Sequence, residues 1–211
     1  MTASTDSIEG KSTVSTTRDS TEASATVTPR SSHAEVGATV WLTGLPSAGK
    51  TTIARALAVR LRAAGAKVEV LDGDELRTHL TAGLGFSRAD RDTNVRRVGF
   101  VARLLARNGV TVLVPVIAPY ADSRAEVRAQ HDTEGTAFIE VHVATSLDVC
   151  SQRDVKGLYA KQRAGEVSGL TGVDDPYEIP QFPEVRLETE GRTVEEAAEQ
   201  VFAALHERGL A

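Results

Sequence analysis

A phosphate-binding loop is the most informative pattern in the chain. Residues 44–51 have the form G-x-x-x-x-G-K-[ST], between a strand-like apolar run at 38–43 and a helical pattern at 52–61. Glycines let backbone N–H groups converge on a phosphate, and the start of a helix adds partial positive charge. Lys50 can reach the β- and γ-phosphates of a nucleotide, and the Thr51 hydroxyl can ligate Mg²⁺. This context predicts a nucleotide-binding site rather than a simple glycine-rich turn.

Two carboxylates, Asp72 and Asp74, directly follow a second strand-like segment at 67–71. Ligands of open α/β sheets bind beyond the carboxyl ends of the strands. At that edge one carboxylate could orient Mg²⁺ through water, while the other accepts the proton of an acceptor hydroxyl. The same Asp-Gly-Asp sequence could equally form a turn in which Asp74 caps a helix. The residues alone leave these two interpretations open.

A group of cationic and amide side chains follows within about twenty residues. These residues are Arg77, Arg91, Asn94, Arg96 and Arg97. Such a group is suited to holding a dianionic acceptor through forked hydrogen bonds, and Arg91 and Asn94 share one face of a helix predicted at 90–107. For Arg97 an ordinary solvated charge is the preferred interpretation. Phe86 could stack on a base, although a single Phe more often belongs to a core.

Composition narrows the class of protein. A chain of 211 residues with 41% hydrophobic residues is typical of one domain with one sizeable core. The formal net charge of −5 argues against a nucleic-acid-binding surface. Cys150 is the only cysteine, so an intrachain disulfide is excluded. No apolar run is long enough to span a membrane or to direct export, and we expect a cytoplasmic protein without membrane association.

The chain divides into a tail and one domain. Residues 1–36 are rich in Ser and Thr, have almost no large apolar side chains, and are predicted to be a disordered tail. Residues 37–211 alternate strand-like and helix-like segments, which predicts an α/β fold, a P-loop NTPase-type three-layer sandwich with a five-stranded parallel sheet. The predicted strands are 38–43, 67–71, 111–117, 137–143 and 185–189. The predicted helices are 52–61, 90–107, 123–131 and 193–208.

The segment at about 154–183 breaks this alternation with repeated glycines and prolines. Long irregular segments inside compact domains are usually functional lids or disordered linkers. The basic residues Lys156, Lys161 and Arg163 favour a lid over phosphates.

Together these segments resemble adenylylsulfate kinase (APS kinase), the family that phosphorylates the 3′-hydroxyl of adenosine 5′-phosphosulfate (APS) with ATP. The resemblance includes the phosphate loop and extends from about residue 38 to the C-terminus, in order and with appropriate spacing. The further motifs are LDGDELR (71–77), LGFS (84–87), DRDTNVRR (90–97), IAPY (117–120) with Arg124, EVHV (140–143), RDVKGLY (153–159) and GLTGVDDPYE (169–178).

The resemblance implies roles for the matching positions. Asp74 would be the general base, Lys50 would act on the phosphates, and Asp72 would act with Thr51 on Mg²⁺. ATP would bind at Gly44, Leu45, Pro46, Ser47, Ala48, Gly49, Lys50, Thr51 and Thr52, with Arg153 against its base. The acceptor APS would bind at Asp74, Arg77, Phe86, Arg91, Asn94, Ile117, Ala118, Lys156 and Leu170. The resemblance also suggests a homodimer and a possible sulfurylase partner.

Two positions depart from the family pattern. Some members have a serine, reported to become phosphorylated, where this chain has Ala118. Alanine has no hydroxyl, so direct in-line transfer is expected here. The position of Leu170 is commonly Phe, and losing a second aromatic contact with the acceptor adenine would weaken acceptor binding by about 0.5–1.5 kcal/mol.

Two other functions remain open at this point. The chain could be another small P-loop kinase acting on a sugar, a shikimate-like acid or an antibiotic. It could also be a catalytically silent module that senses APS or its 3′-phosphorylated product (PAPS), since such domains occur fused to sulfurylases. The presence of Lys50, Thr51, Asp72 and Asp74 favours an active kinase.

Overall fold

Five parallel strands form one sheet in the computed structural model, which describes residues 37–211. They are β1 (Ala38–Thr43), β2 (Val68–Val70), β3 (Thr111–Pro115), β4 (Ala137–Val143) and β5 (Val185–Leu187). The strand order is β2-β3-β1-β4-β5, and every neighbouring pair is parallel. The strand that leads into the phosphate loop is therefore central, and all of its residues are buried. The tail predicted at 1–36 lies outside the described residues.

Seven helices accompany the sheet within the described part of the chain. They are α1 (Lys50–Ala63), α2 (Gly73–His79), α3 (Arg88–Ala106), α4 (Ala121–Thr133), α5 (Leu147–Arg153), α6 (Leu158–Arg163) and α7 (Val194–His206). The four helices expected from periodicity correspond to α1, α3, α4 and α7, with bounds that differ by a few residues. The other three have six or seven residues, which is too short for a helical period to be recognised. Because α6 lies within 154–183, that segment is less irregular than its composition predicts.

Alternating side chains of the central strand face two separate layers of helices. Val40 and Leu42 pack with α1 and α7 in one hydrophobic cluster. Trp41, between them, packs with α3 and α4 in the other. A parallel sheet buried on both faces in this way needs an almost continuous apolar strand, which β1 supplies. The predicted three-layer sandwich with a five-stranded parallel sheet is confirmed.

The carboxyl edge of the sheet gathers the segments that carry the predicted site. The phosphate loop follows β1, Asp72 follows β2, and residues 116–120 follow β3. Parallel pairing aligns these ends, since Leu42 pairs with Pro115 and Thr43 with His142. Strand order therefore brings together side chains far apart in sequence. None of the helices within 37–211 is long and apolar enough to cross a membrane.

Helices α3 and α4 meet at a buried glycine. A Cβ placed on Gly99 would lie 2.6 Å from Cγ2 and 2.8 Å from Cγ1 of Val127, much closer than van der Waals contact. Glycine at this position lets the two helices pack closely, and α3 then presents Arg91 and Asn94 to the carboxyl edge of the sheet.

We expect Gly99→Ala to lower the free energy of unfolding by up to about 2 kcal/mol. Overpacking costs about 1–3 kcal/mol, and the better helix propensity of alanine offsets about 1 kcal/mol of it. Urea unfolding measures the change. Val127→Ala removes the clashing methyl groups, so the double variant should be more stable than the sum of the single effects predicts. Strict additivity would show that this contact does not set the helix spacing.

Candidate active site

The phosphate loop leaves β1 at Gly44 and enters α1 at Lys50. Gly49, the residue before the helix, has φ +104°, a backbone conformation that residues with a side chain rarely adopt. No side chain caps the start of α1, so its first backbone N–H groups remain available to a ligand. A helix start of this kind attracts anions through free N–H groups and the helix dipole. The loop is thus shaped to receive a phosphate.

Lys50 crosses the loop and binds its carbonyl groups. Its Nζ donates to the carbonyl oxygen of Gly44 at 2.9 Å and to that of Leu45 at 2.7 Å. Burial lowers the pKa of Lys50 to about 8, and the positive charge of Lys156 contributes in the same direction. At pH 7 the side chain is still mostly protonated. It therefore provides a positive charge with few competing solvent contacts for the phosphates.

Three more donors bind two further carbonyl groups of the loop. The Tyr159 hydroxyl donates to the Pro46 carbonyl at 3.0 Å, and the Thr145 hydroxyl donates to the Ala48 carbonyl at 2.9 Å. Arg153 Nη1 donates to the same Ala48 carbonyl at 3.3 Å. These bonds hold carbonyl groups away from the cavity, so the phosphate meets N–H groups instead.

A cavity of about 450 Å³ runs from the phosphate loop to the cationic group. Its walls include most of the predicted ATP positions, namely Pro46, Ser47, Ala48, Gly49, Lys50, Thr51, Thr52 and Arg153. Gly44 and Leu45 are not in its wall. Gly44 leads out of β1, and Leu45 packs against the lid at Gly172, where an added Cβ would lie 2.5 Å from Leu45 Cδ2.

The same cavity reaches most of the predicted acceptor positions. Its lining includes Asp72, Asp74, Arg77, Phe86, Arg91, Asn94, Ile117, Ala118 and Lys156. Leu170 is the predicted acceptor contact that lies elsewhere. It is only 6% exposed and packs in the cluster with α1 and Tyr159. Its apolar side chain points from the segment 154–183 into this cluster rather than pairing with Phe86.

Asp72 caps α2 and is held by two donors. Its Oδ1 accepts from the Asp74 backbone N–H at 3.0 Å, and its Oδ2 accepts from Arg55 Nη2 at 3.2 Å. A helix does begin at the Asp-Gly-Asp sequence, but the alternative in which Asp74 is the cap is wrong. Asp74 lies in the first turn, and its side chain does not cap the helix.

Asp74 forms an ion pair with Lys156 of the lid. Lys156 Nζ lies 2.7 Å from Oδ1 and 2.5 Å from Oδ2 of Asp74. Both side chains are largely exposed, Asp74 by 71% and Lys156 by 57%. Exposed ion pairs contribute little to stability. An anionic substrate could therefore displace Lys156 from the carboxylate at small cost.

The aromatic ring of Phe86 lies in the cationic group. Its centroid is 4.7 Å from the guanidinium carbon of Arg77 and 6.0 Å from that of Arg91. The ring is 64% exposed, so Phe86 is not a core residue, and a flat ligand has access to it. Partial burial and the charge of Arg91 lower the pKa of Arg77. An anion in the cavity would relieve this repulsion.

Arg91 connects the cationic group to the lid. Its Nη2 donates to the Gly169 carbonyl at 2.6 Å and to Asp175 Oδ2 at 2.9 Å, while Nη1 donates to the Thr171 hydroxyl. Its Nε donates to the Phe86 carbonyl at 2.8 Å. Four of five N–H donors are therefore used within the chain. The remaining donor and the positive charge are what Arg91 can offer to an acceptor.

The turn after β3 forms the opposite wall of the cavity. Ala118 is buried and has φ +43°, the left-handed region that costs an L-residue about 1–2 kcal/mol. Its carbonyl accepts from Arg124 Nη1 at 2.7 Å. The surrounding structure thus holds this turn in a conformation that alanine does not favour.

Sequence reasoning missed one wall of the cavity, at the start of α7. The residues are Thr189, Arg192, Thr193, Val194 and Ala197. They follow β5, which has only three residues and carries no chemical motif. Because β5 is the edge strand beside β4, the carboxyl-edge rule applied to the last strand would have indicated them.

The structure places a buried lysine at the start of a helix and a carboxylate in the same cavity, at the carboxyl edge of a parallel sheet. This arrangement is that of a P-loop kinase. The family model for adenylylsulphate kinase matches residues 36–188. The chain therefore belongs to the adenylylsulphate kinase family and is a transferase.

Relatives and solved structures support this membership. An adenylyl-sulfate kinase of Rippkaea orientalis (strain PCC 8801 / RF-1) is 58% identical over 173 residues, covering 82% of this chain and 93% of that protein. The Mycobacterium tuberculosis APS kinase CysC, in complex with AMPPNP and APS, is 48% identical with a TM-score of 0.78, covering 81% of this chain and 98% of that one. A hexameric APS kinase from Thiobacillus denitrificans is 40% identical with a TM-score of 0.63, covering 82% of this chain and 29% of that one.

We expect ATP binding at pH 8 to take up about half a proton. The pKa of Lys50 is lowered to about 8, so about half of the side chains are neutral at this pH, and the nearby phosphate charge would raise the pKa again. Calorimetric titration in buffers of different ionisation enthalpy measures the uptake. Lys50→Arg is the matched control, since guanidinium stays protonated. Equal proton uptake by both proteins would contradict the assignment to Lys50.

Proposed function

We propose that the chain transfers the γ-phosphoryl group of ATP to the 3′-hydroxyl of APS, giving PAPS and ADP. The single observation that carries this proposal is the continuous cavity from Lys50 to Asp74 and the Arg77–Phe86 pair. One end offers N–H groups and a cation to a triphosphate. The other offers a carboxylate, an exposed aromatic ring and cations to an anionic nucleotide. Sheet topology places the two ends on one edge.

ATP binds with its phosphates in the loop 44–51 and its base toward α7. Lys50 exchanges the carbonyl groups of Gly44 and Leu45 for phosphate oxygens. Thr52 lies at the same helix start. Arg153 packs against the base, opposite the wall that begins at Thr189. This orientation directs the γ-phosphate toward Asp74.

Mg²⁺ is the cofactor that fits the oxygen ligands beside the loop. The Thr51 hydroxyl and the Asp72 carboxylate both line the cavity, and hard oxygen ligands with substrate phosphates suit this ion. Asp72 is already oriented by the Asp74 N–H group and by Arg55. When bound, Mg²⁺ would neutralise charge on the β- and γ-phosphates.

Asp74 is the proposed general base. Lys156 leaves Asp74 for the acceptor or the transferring phosphate as the substrates bind, and the carboxylate becomes free to accept the 3′-hydroxyl proton. The hydroxyl oxygen then attacks the γ-phosphorus, and the bond to the bridging oxygen of ADP breaks. Phosphoryl transfer depends mainly on positioning and charge neutralisation. These residues supply both.

The acceptor is held on three sides. Phe86 stacks on the adenine, Arg77 and the remaining donor of Arg91 bind the phosphosulfate, and Asn94 binds a polar group beside Arg91. The backbone at Ile117 and Ala118 closes the opposite side. Ala118 cannot carry a phosphoryl group, so the transfer is direct and in line. Leu170 would contribute from the lid side, as apolar packing rather than as an aromatic partner.

The proposal also covers the oligomeric state of the protein and its cellular compartment. We expect a homodimer in the cytoplasm, able to receive APS from a separate sulfurylase. One structural relative is hexameric, so light scattering of the purified chain distinguishes these states. The lid at 154–183 is proposed to close over the substrates, because its two ends contact Asp74 and Arg91.

We expect APS-dependent ADP release that Asp74→Ala lowers in kcat by about 10²–10⁴-fold, because a general base contributes that much. ATP affinity should remain, since the loop is unchanged. Glu75→Gln is the matched control, as this carboxylate is in the same turn of α2 but outside the cavity wall. Gluconate, shikimate and adenosine 5′-monophosphate serve as control acceptors. Turnover with one of these instead of APS would indicate another small-molecule kinase, and ATP binding without turnover would indicate a silent sensor.

A further inference from the structure

Arg124 is a buried arginine that the reaction described above does not use. Its side chain is 4% exposed and lies on α4, behind the turn that follows β3. Its Nε donates to Glu140 Oε1 at 2.8 Å. Glu140 is also paired with Arg128, whose Nη2 lies 3.6 Å from Oε2, whereas the Arg124 guanidinium makes two further directed bonds that neutralisation of Glu140 does not require.

Those two bonds reach the backbone of two separate segments. Nη1 donates to the Ala118 carbonyl at 2.7 Å, and Nη2 donates to the Glu178 carbonyl at 2.7 Å. Ala118 is in the cavity wall, and Glu178 lies near the end of the lid. The planar guanidinium therefore fixes the distance and angle between the acceptor wall and the lid.

Further hydrogen bonds join the same two segments around Arg124. The Glu178 backbone N–H donates to the Pro119 carbonyl at 2.8 Å, and the Ala121 N–H donates to Glu178 Oε2 at 2.6 Å. The Tyr177 ring centroid lies 6.0 Å from the guanidinium carbon of Arg124. Lid end and acceptor wall thus form one unit with the guanidinium at its centre.

The unit formed by the lid end and the acceptor wall holds Ala118 in its left-handed conformation. Alanine relaxes from φ +43° to ordinary conformations unless its neighbours prevent it. The bond from Arg124 to the Ala118 carbonyl fixes the orientation of the peptide group that follows this residue. Loss of that bond would let the wall of the acceptor site change shape. The phosphate loop would keep its own bonds to Tyr159, Thr145 and Arg153, although Thr43 before the loop donates to the Ile117 carbonyl.

We propose that Arg124 is a positioning residue for the acceptor: it holds the Ala118 turn and the lid end at Glu178 in the geometry that receives APS, without touching the substrate. The inference rests on the proposed function. It adds a determinant of acceptor binding located behind the cavity wall.

Arg124→Lys tests the inference, because lysine keeps the charge beside Glu140 but lacks the planar fork. We expect the KM for APS to rise about tenfold or more and the KM for ATP to change less than twofold. Arg128→Lys is the matched control. Arg128 lies one turn along α4, binds Glu184 at 2.7 and 2.8 Å and lies 3.6 Å from Glu140 Oε2, so it shares the Glu140 partner of Arg124 but makes no bond to the Ala118 turn. Its substitution should leave the KM for APS within twofold.

Rescue by glycine separates positioning from general stability. In the Arg124→Lys background, Ala118→Gly removes the penalty of the left-handed conformation and should recover about threefold or more of the lost APS affinity. A merely structural arginine would not be rescued at this site. An unchanged KM for APS, an equal rise in Arg128→Lys, or no rescue by Ala118→Gly would each overturn the inference.

One further variant and the wild-type protein cover the cases in which Arg124→Lys gives no result. If Arg124→Lys does not fold, Glu140→Gln weakens the anchor of the same guanidinium, and the KM for APS should still rise about threefold with the KM for ATP unchanged. An unchanged KM for APS there overturns the inference. Absence of APS-dependent turnover in the wild-type protein would instead refute the proposed function itself.

Discussion

The phosphate loop must keep its N–H groups free while every buried carbonyl finds a donor, and the rest of the structure depends on this constraint. An unsatisfied buried polar group costs roughly 1–3 kcal/mol. The loop itself supplies Lys50 and the Ala48 N–H group, which donates to the Leu45 carbonyl at 3.2 Å. The others come from Thr145 after β4, Arg153 at the end of α5 and Tyr159 in α6. A loop motif therefore becomes a phosphate site only when the fold brings these later segments beneath it.

The charged side chains of the cavity explain how the predicted lid, residues 154–183, is attached to α2 and α3. Several cations share one cavity, and burial together with mutual repulsion lowers the pKa of Lys50 and of Arg77. Near α2 the lid is bound through the exposed pair of Lys156 and Asp74, which solvent screens strongly. Near α3 it is bound through the buried guanidinium of Arg91. The contact at Lys156 is therefore the weaker of the two.

The features that could be predicted from the sequence are those that depend on interactions between residues close together in the chain. The long helices, the apolar strands and the phosphate loop carry local patterns, so the fold and most of the cavity wall were predictable. Short helices such as α2 and α6 owe their stability to packing and caps rather than to periodicity. The bonds from Arg91 to Gly169 and Asp175 span about eighty residues, and no local signal encodes them. Leu170 is buried in the cluster with α1 and is absent from the cavity lining, so its contact with the acceptor stays a prediction, because an apolar side chain fits a core as well as an adenine site.

The buried arginine–glutamate pair behind the Ala118 turn is best explained by geometry rather than by stability. Removing two charges from water costs energy that their attraction recovers only in part, and apolar replacements of such pairs are often as stable. An apolar side chain, however, could not bind the carbonyl groups of Ala118 and Glu178. Arg124 binds both and is itself oriented by Glu140. The fold accepts the cost of a buried charge because only a guanidinium can join three elements at one fixed angle.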